Sequence, residues 1–320
     1  MFIERKIING KPYYYIKHSF RSGKKIKTKT LAYVGNNEDK EKIEKLKKQF
    51  DKEKLEEIRK ELFEEVDYNN IIPELDIKKI NEIKLQFSKK IKNIDEKTKK
   101  EMFDDFLTYF IYNSNAIEGN TLTLKETNLL LNKGITPQGR TLREINDHLN
   151  SREVFYYLLK ENPKISHEAI ILIHDRLLEK IDERKGYRSS NVRVIGATFK
   201  SSPFQYIQTD MNLLIKWHNK NKNKLHPVIL ASLFHHKFEK IHPFYDGNGR
   251  TGRMLLNLML LKNNIPPIIL SNKQRKRYYS VLAKADKTGL VEIIEDFKPL
   301  VKFISTQILK TWNTIFKQWG

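Results

Sequence analysis

The run His242-Pro243-Phe244-Tyr245-Asp246-Gly247-Asn248-Gly249-Arg250-Thr251-Gly252-Arg253 gathers the residue types needed to move a phosphate-containing group. Gly247 and Gly249 let the backbone approach a phosphate closely. Arg250 and Arg253 lie three apart, on one side of a first helical turn, where guanidinium forks can hold more phosphate oxygens. Asp246 is placed for Mg²⁺, which favours one carboxylate plus substrate phosphates. His242 stands where a helix gives way to this loop and titrates near neutrality, as a general base should. Two arginines at a helix start are opposed by the positive dipole end, so they call for a bound anion or an acidic partner.

The flanking sequence says how these residues are held. Pro227 suits the first turn of a helix, and Leu230, Phe234, Phe238 and Ile241 line one face of it. After the loop, Met254 to Leu261 is apolar on all sides, which places that helix in the domain centre. A glycine-rich loop is thus delivered onto the N-terminus of a buried helix, where free N–H groups point at whatever anion sits there. Most of the chain beyond about Lys100 reads as helices of ordinary length. Thr123 to Asn132 stops at Gly134, Thr141 to Lys160 is closed by Pro163, and Ser166 caps a helix to about Ile181. The exception is Val192 to Ile207, read as a short β-hairpin. His235, His236 and His242 are too loosely spaced for zinc, and His167-Glu168 fails the two-histidine zinc pattern because position 171 is Ile.

The N-terminal third differs in character. Lys11 to Ser19 and Ile26 to Val34, joined by a turn at Arg21-Ser22-Gly23-Lys24, read as a hairpin rich in tyrosine and lysine. Its basic and aromatic residues suit either a nucleic-acid-facing ribbon or a small solvated sheet with a lysine-protected edge. Glu38 to Val66 is an amphipathic pattern with a five-residue slip between Phe50 and Leu55, Pro73 ends that region, and a second charged helix covers Ile77 to Ile94. The 320 residues hold 60 Lys+Arg against 39 Asp+Glu, a net charge of +21, which attracts polyanions without choosing among them. There is no cysteine, which excludes disulfides, thiolate zinc sites and cysteine nucleophiles. A charged N-terminus and no apolar run long enough for a bilayer point to a cytoplasmic protein without membrane partners.

The run from His242 to Arg253 resembles the Fic signature H-x-F-x-[D/E]-G-N-G-R-x-x-R at every defined position. Gly186-Tyr187-Arg188 with Val192 to Ile207 is similar to the family's flap, and Arg277-Tyr278-Tyr279 through Ala285-Asp286 resembles the segment over the adenine. Ser114-Asn115-Ala116-Ile117-Glu118-Gly119 resembles the family's inhibitory pattern [S/T]-x-x-x-E-[G/N]. The likeness covers roughly residues 101 to 305. It implies a mainly α fold of Fido type with a β-hairpin flap, behind a basic hairpin module (1–36) and a charged helical region (37–100), with a C-terminal helix over 306–320.

Carried over residue by residue, the resemblance implies transfer of AMP from ATP to a Ser, Thr or Tyr hydroxyl of a target protein or of the chain itself. His242 would be the base and Asp246 would hold Mg²⁺. Asn248 and neighbouring N–H groups, in the run Gly247, Asn248, Gly249, Arg250, Thr251, Gly252 and Arg253, would stabilise the α-phosphate. Arg250 would take the β-phosphate and Arg253 the γ-phosphate. Tyr278, Tyr279 and Asp286 would meet the adenine, and Val194, Ile195 and Gly196 would dock the target as an added strand. Ser114, Glu118 and Gly119 would form the inhibitory element, with Glu118 on Arg253. Removal of AMP, transfer of another nucleotide, nucleic-acid binding through residues 1–35, and homo-oligomers stay open beside this reading.

Overall fold

Capping signals in the sequence become hydrogen bonds in the computed structural model, which describes residues 1–8, 10–22, 25–55, 76–192, 201–286 and 294–319. Two compact units divide the chain near residue 67. In the first, β1 (Phe2–Ile8), β2 (Lys11–Ser22) and β3 (Lys25–Gly35) form an antiparallel sheet in the order β1-β2-β3. Ile3 pairs with Ile16 and Ile16 with Ala32, while the register between β2 and β3 slips at Tyr14/Tyr15 and at Ile16/Lys17. The expected hairpin is therefore a three-stranded meander. β1 escaped the sequence reading because it is mostly exposed and bears charge on both faces, which erases a period of two.

Helix α1 (Lys40–Lys47), capped by Asp39, adds Ile43 to a small core with Ile16 and Val34. It stops at Lys47, and the next helical residues begin at Lys52. The expected single helix over Glu38 to Val66 is thus interrupted where the apolar spacing slips. Residues 56–75, Pro73 among them, lie outside the described residues.

The second unit is helical. It comprises α2 (Ile77–Asn93), α3 (Glu96–Ile117), α4 (Leu124–Lys133), α5 (Leu142–Glu161) and α6 (His167–Leu177). These are followed by α7 (Ile207–Asn221), α8 (Pro227–Ile241), α9 (Asn248–Leu261), α10 (Arg275–Ala285) and α11 (Ile294–Thr314). Thr123 and Thr141 each build a full capping box with Glu126 and Glu144, and Gly134 closes α4 in the left-handed region. Residues 254–260 of α9 are buried all round, so α9 is the axis on which α3, α6 and α8 pack.

Several boundaries differ from the sequence reading. The apolar face of α2 (Ile80, Ile83, Phe87) joins the same core, so residues 37–100 do not act as one charged region. Helix α6 ends at Leu177, short of Ile181. Residues 204–206 form a 3₁₀ turn after Pro203 and α7 starts at Ile207, so no strand reaches 207, and residues 193–200 of the expected hairpin lie outside the described residues. Val194, Ile195 and Gly196 lie outside the described residues. Helix α11 passes through 306 without a break because its apolar face, Phe297, Leu300, Val301, Ile304, Ile308 and Trp312, is buried continuously. Among the described residues no helix is long and apolar enough to cross a membrane.

Candidate active site

The site is built where α8 turns into α9. His242 caps α8 in the left-handed region (φ 54°, ψ 61°), donating its N–H to the Phe238 carbonyl at 3.0 Å. A residue with a Cβ adopts that backbone at a cost of about 1 kcal/mol, which the surroundings must offset. Its Nδ1 lies 3.2 Å from the Glu239 carbonyl. A carbonyl only accepts, so Nδ1 carries the proton and Nε2 is left as the base. Burial pushes the imidazole pKa below its ordinary value, and the charge of Arg188 acts in the same direction against Glu118 and Asp246.

The loop is braced by Asn248, whose side chain accepts from Phe244 N and donates to Phe244 O, both at 2.9 Å. That amide braces the turn with one of its two N–H donors. Gly247 is required twice over, since φ is +74° and a Cβ would sit 2.5 Å from Leu178 Cδ2. No side chain caps the N-terminus of α9, so its first N–H groups are unclaimed by the usual device.

The two arginines find the acidic partners their position demanded. Arg250 binds Asp147 from α5 and lies 3.4 Å from Asp246, which Arg143 also grips. Arg253, 1% exposed, donates to Ser114 Oγ at 2.9 Å, to the Ser114 carbonyl at 3.0 Å and to Glu118 Oε1 at 2.7 Å. The Glu118 carboxylate lies over the first turn of α9, because a Cβ on Gly249 would meet Glu118 Oε1 at 2.2 Å. One turn later a Cβ on Gly252 would meet Glu239 Oε1 at 2.3 Å. Arg250 Nε and Arg253 Nη1 are nevertheless buried without a partner, two donors still available to an anion. A cavity of about 300 Å³ is lined by Glu118, Gly119, Arg143, Asp147, Asp246 and Arg250.

Glu118 is presented rigidly. Helix α3 ends at Ile117 and the chain turns through Gly119 (φ +98°). Arg275 from α10 donates to the Ile117 carbonyl at 2.8 Å, and Asn120 reaches Asp147 at 3.3 Å. Thr121 donates to Glu144 at 2.6 Å, and this bond with the Thr141 N–H holds the Glu144 carboxyl down to about 2.

The three adenine candidates separate. Tyr278 is 1% exposed with its hydroxyl on His235 Nε2 at 2.7 Å, and Asp286 is bound to His236 at 2.8 Å. Tyr279 is 40% exposed and has Arg275 over its ring at 5.1 Å, so it alone of the three offers an open face to a base. Burial raises the Asp246 pKa while Arg250, the Gly247 N–H and Arg143 lower it, and the lowering prevails. That ionised carboxylate fits a Mg²⁺ completed by phosphate oxygens; among the described residues no cluster of three or more His, Asp or Glu would hold an ion by itself.

Sequence reading missed Arg143, Asp147 and Glu239. Asp147 and Arg143 stand on α5, a hundred residues from the loop, with no spacing to link them to it. Glu239 carries a weak signal, an acid on the otherwise apolar helix α8.

Residues 164–260 match the model of the Fic/DOC family. The protein adenylyltransferase fic-1 of Caenorhabditis elegans is 32% identical over 206 residues, 62% of this chain and 39% of the relative. The protein adenylyltransferase Fic of Drosophila melanogaster is 35% identical over 211 residues, 63% of this chain and 40% of the relative. The chain therefore spans about two fifths of the length of these relatives. Among solved structures, a Fic domain containing signaling protein from Bacteroides thetaiotaomicron is 28% identical, with a TM-score of 0.66 over 73% of this chain and 97% of that one. Fic-1 from C. elegans superposes with a TM-score of 0.63 at 26% identity, over 75% of this chain and 70% of that one. With the signature loop on a buried central helix and these likenesses around it, the chain carries a Fic/DOC family domain in the Fido helical fold.

Proposed function

We propose that the chain is an autoinhibited protein adenylyltransferase that moves AMP from ATP to a hydroxyl of a target protein or of itself. The observation that carries this is the Glu118 carboxylate, bound to Arg253 at 2.7 Å and lying over Gly249 at the uncapped start of α9. An anion site is complete and one of the protein's own acids stands in it, where the outermost phosphate of ATP would lie. Removing Glu118 frees Arg253 and the helix N-terminus together.

In the active state Arg250 and Arg253 hold the outer phosphates, the first N–H groups of α9 hold the α-phosphate, and Tyr279 meets the adenine. His242 Nε2 takes the proton from the target hydroxyl as its oxygen bonds to the α-phosphorus and pyrophosphate leaves. Asp246 would hold Mg²⁺, which neutralises charge on the phosphates when bound. Because its pKa is lowered, His242 is neutral and ready to act at pH 7.

Glu118 supports a second reading as well. Its side chain is 36% exposed despite the ion pair, so it is open to a water molecule that would remove AMP from a modified target.

The test supplies Mg²⁺ and ATP labelled at the α-phosphate to wild type, Glu118→Gly and Glu118→Gly/His242→Ala, and measures label on protein. Label in Glu118→Gly alone is the expected result. Equal label in wild type would remove the inhibitory role. Label in the double variant would remove His242 as base. No label in any of them, with release of AMP from a pre-labelled protein by wild type, would favour the hydrolytic reading.

A further inference from the structure

Arg188 is 2% exposed, and among the described residues no carboxylate pairs with it. A buried guanidinium without a counter-charge is costly, so its hydrogen bonds deserve a full accounting. Its Nε donates to the carbonyl of His242 at 2.8 Å, its Nη1 to the carbonyl of Ser190 at 2.8 Å, and its Nη2 to the carbonyl of Ser202. Its own N–H donates to the Pro243 carbonyl at 3.0 Å, and the Ser202 N–H points at the Ile241 carbonyl at 3.3 Å. Every nitrogen of the side chain is thus used on main chain, and the three carbonyls belong to the base and to the two ends of the 190–202 segment.

We propose that Arg188 is a positioning residue that fixes, from one buried point, the left-handed backbone of His242 and the carbonyls of Ser190 and Ser202. Three features support it. His242 adopts a backbone that its own side chain disfavours, and the only side chain bonded to its carbonyl among the described residues is Arg188. The planar fork of arginine reaches three carbonyls at once, which neither lysine nor glutamine can do. The catalytic loop holds the same segment a second time, since Tyr245 accepts from the Ser189 N–H at 3.1 Å and from the Ser190 hydroxyl at 3.2 Å. The positive charge beside the imidazole also opposes its protonation, which keeps the base in its working form.

The activity readout rests on the transferase reading above; the spectroscopic one does not. In a Glu118→Gly background, Arg188→Gln should bind ATP within about threefold of its parent, because the phosphate donors sit on α9 instead. Its AMP transfer should fall about 100-fold in kcat, the penalty of a misplaced base. NMR titration of His242 should show the imidazole titrating at higher pH in Arg188→Gln, and Arg188→Lys should restore that titration while leaving transfer slow. Two results would overturn the proposal: transfer within threefold of the parent with an unchanged His242 titration, or loss of ATP binding in step with activity in both variants. If the Glu118→Gly parent transfers nothing, the transferase reading fails, and the His242 titration still decides the place of Arg188.

Discussion

Two carboxylates approach the first turns of α9 from two different helices. Glu118 comes from the end of α3 and lies over Gly249, while Glu239 comes from α8 and lies over Gly252. Both feel the charge of Arg253, yet they do opposite things. Glu118 is hydrogen-bonded to the guanidinium with its side chain 36% exposed. Glu239 has an oxygen buried without a partner, and burial, only partly countered by Arg253, pushes its pKa up to about 8. His235, 4.0 Å away, offers no ion pair, because burial pulls its own pKa down to about 3. At neutral pH Glu239 is therefore a neutral packing group and Glu118 the working counter-ion. The lesson is that distance to a cation does not by itself set what an acid does; burial decides whether it keeps its charge.

The largest expected effect separates the two directly. Glu118→Gly should raise AMP transfer by about 10- to 100-fold, the value of one charge-assisted hydrogen bond released from a phosphate site. Glu239→Gln should leave wild type silent, as read by labelled AMP on protein; equal activation by both would erase the distinction.

The glycines sharpen the same contrast through stability. Gly252→Ala drives a methyl group into Glu239, whose side chain is only 14% exposed, and against His235, which is fully buried and cannot retreat, and should cost about 1–3 kcal/mol by thermal or urea unfolding. Gly249→Ala meets Glu118 Oε1, which has solvent beside it and can swing aside, and also the buried Nη1 of Arg253 at 2.9 Å, so its loss should be measurable but smaller than that of Gly252→Ala. A larger loss for Gly249→Ala would mean that Glu118 is as fixed as Glu239.

Acid titration supplies the smallest and most specific signal. Glu239 has a folded-state pKa of about 8, raised from 4.5, so the folded protein binds its proton more tightly than the unfolded chain does. Its contribution is then complete below the unfolded value and fades as pH rises toward 8. Wild type should lose stability relative to Glu239→Gln between about pH 5 and pH 8, measured by urea unfolding across that range. A difference independent of pH would mean that Glu239 is ionised in the fold.

Much of this was legible in the residues. Thr123, Gly134, Thr141 and Ser166 marked helix ends because caps are local, set by side chains two or three positions from the groups they satisfy. The apolar face of α8 and the all-apolar Met254 to Leu261 announced a central helix, and the arginines at its start announced an acidic partner. What stayed hidden was non-local. β1 lacked alternation because its charges lie on both faces. The acids that meet Arg250 include Asp147, with nothing in its neighbourhood to mark it. The bonds by which the Asn248 side chain braces the turn through Phe244 were not foreseen, since a turn's internal hydrogen bonds cannot be told from a ligand's by spacing. Tyr278 and Asp286 sat beside Tyr279 on a helical pattern, but only the packing of α10 on α8 reveals which of them faces inward.

By itself, then, the sequence determined most helix ends, the residue types gathered in the loop from His242 to Arg253, and the need for negative charge at the start of α9. Those follow from periodicity, capping and helix dipoles, all read within a few residues. Only the tertiary structure decided which acids answer that need, that Glu118 pairs with Arg253 over Gly249 while an oxygen of Glu239 is buried without a partner, and that Arg188 joins the backbone of His242 to Ser190 and Ser202. Partners more than a hundred residues apart are chosen by how helices pack, and burial then sets whether a carboxylate keeps its charge.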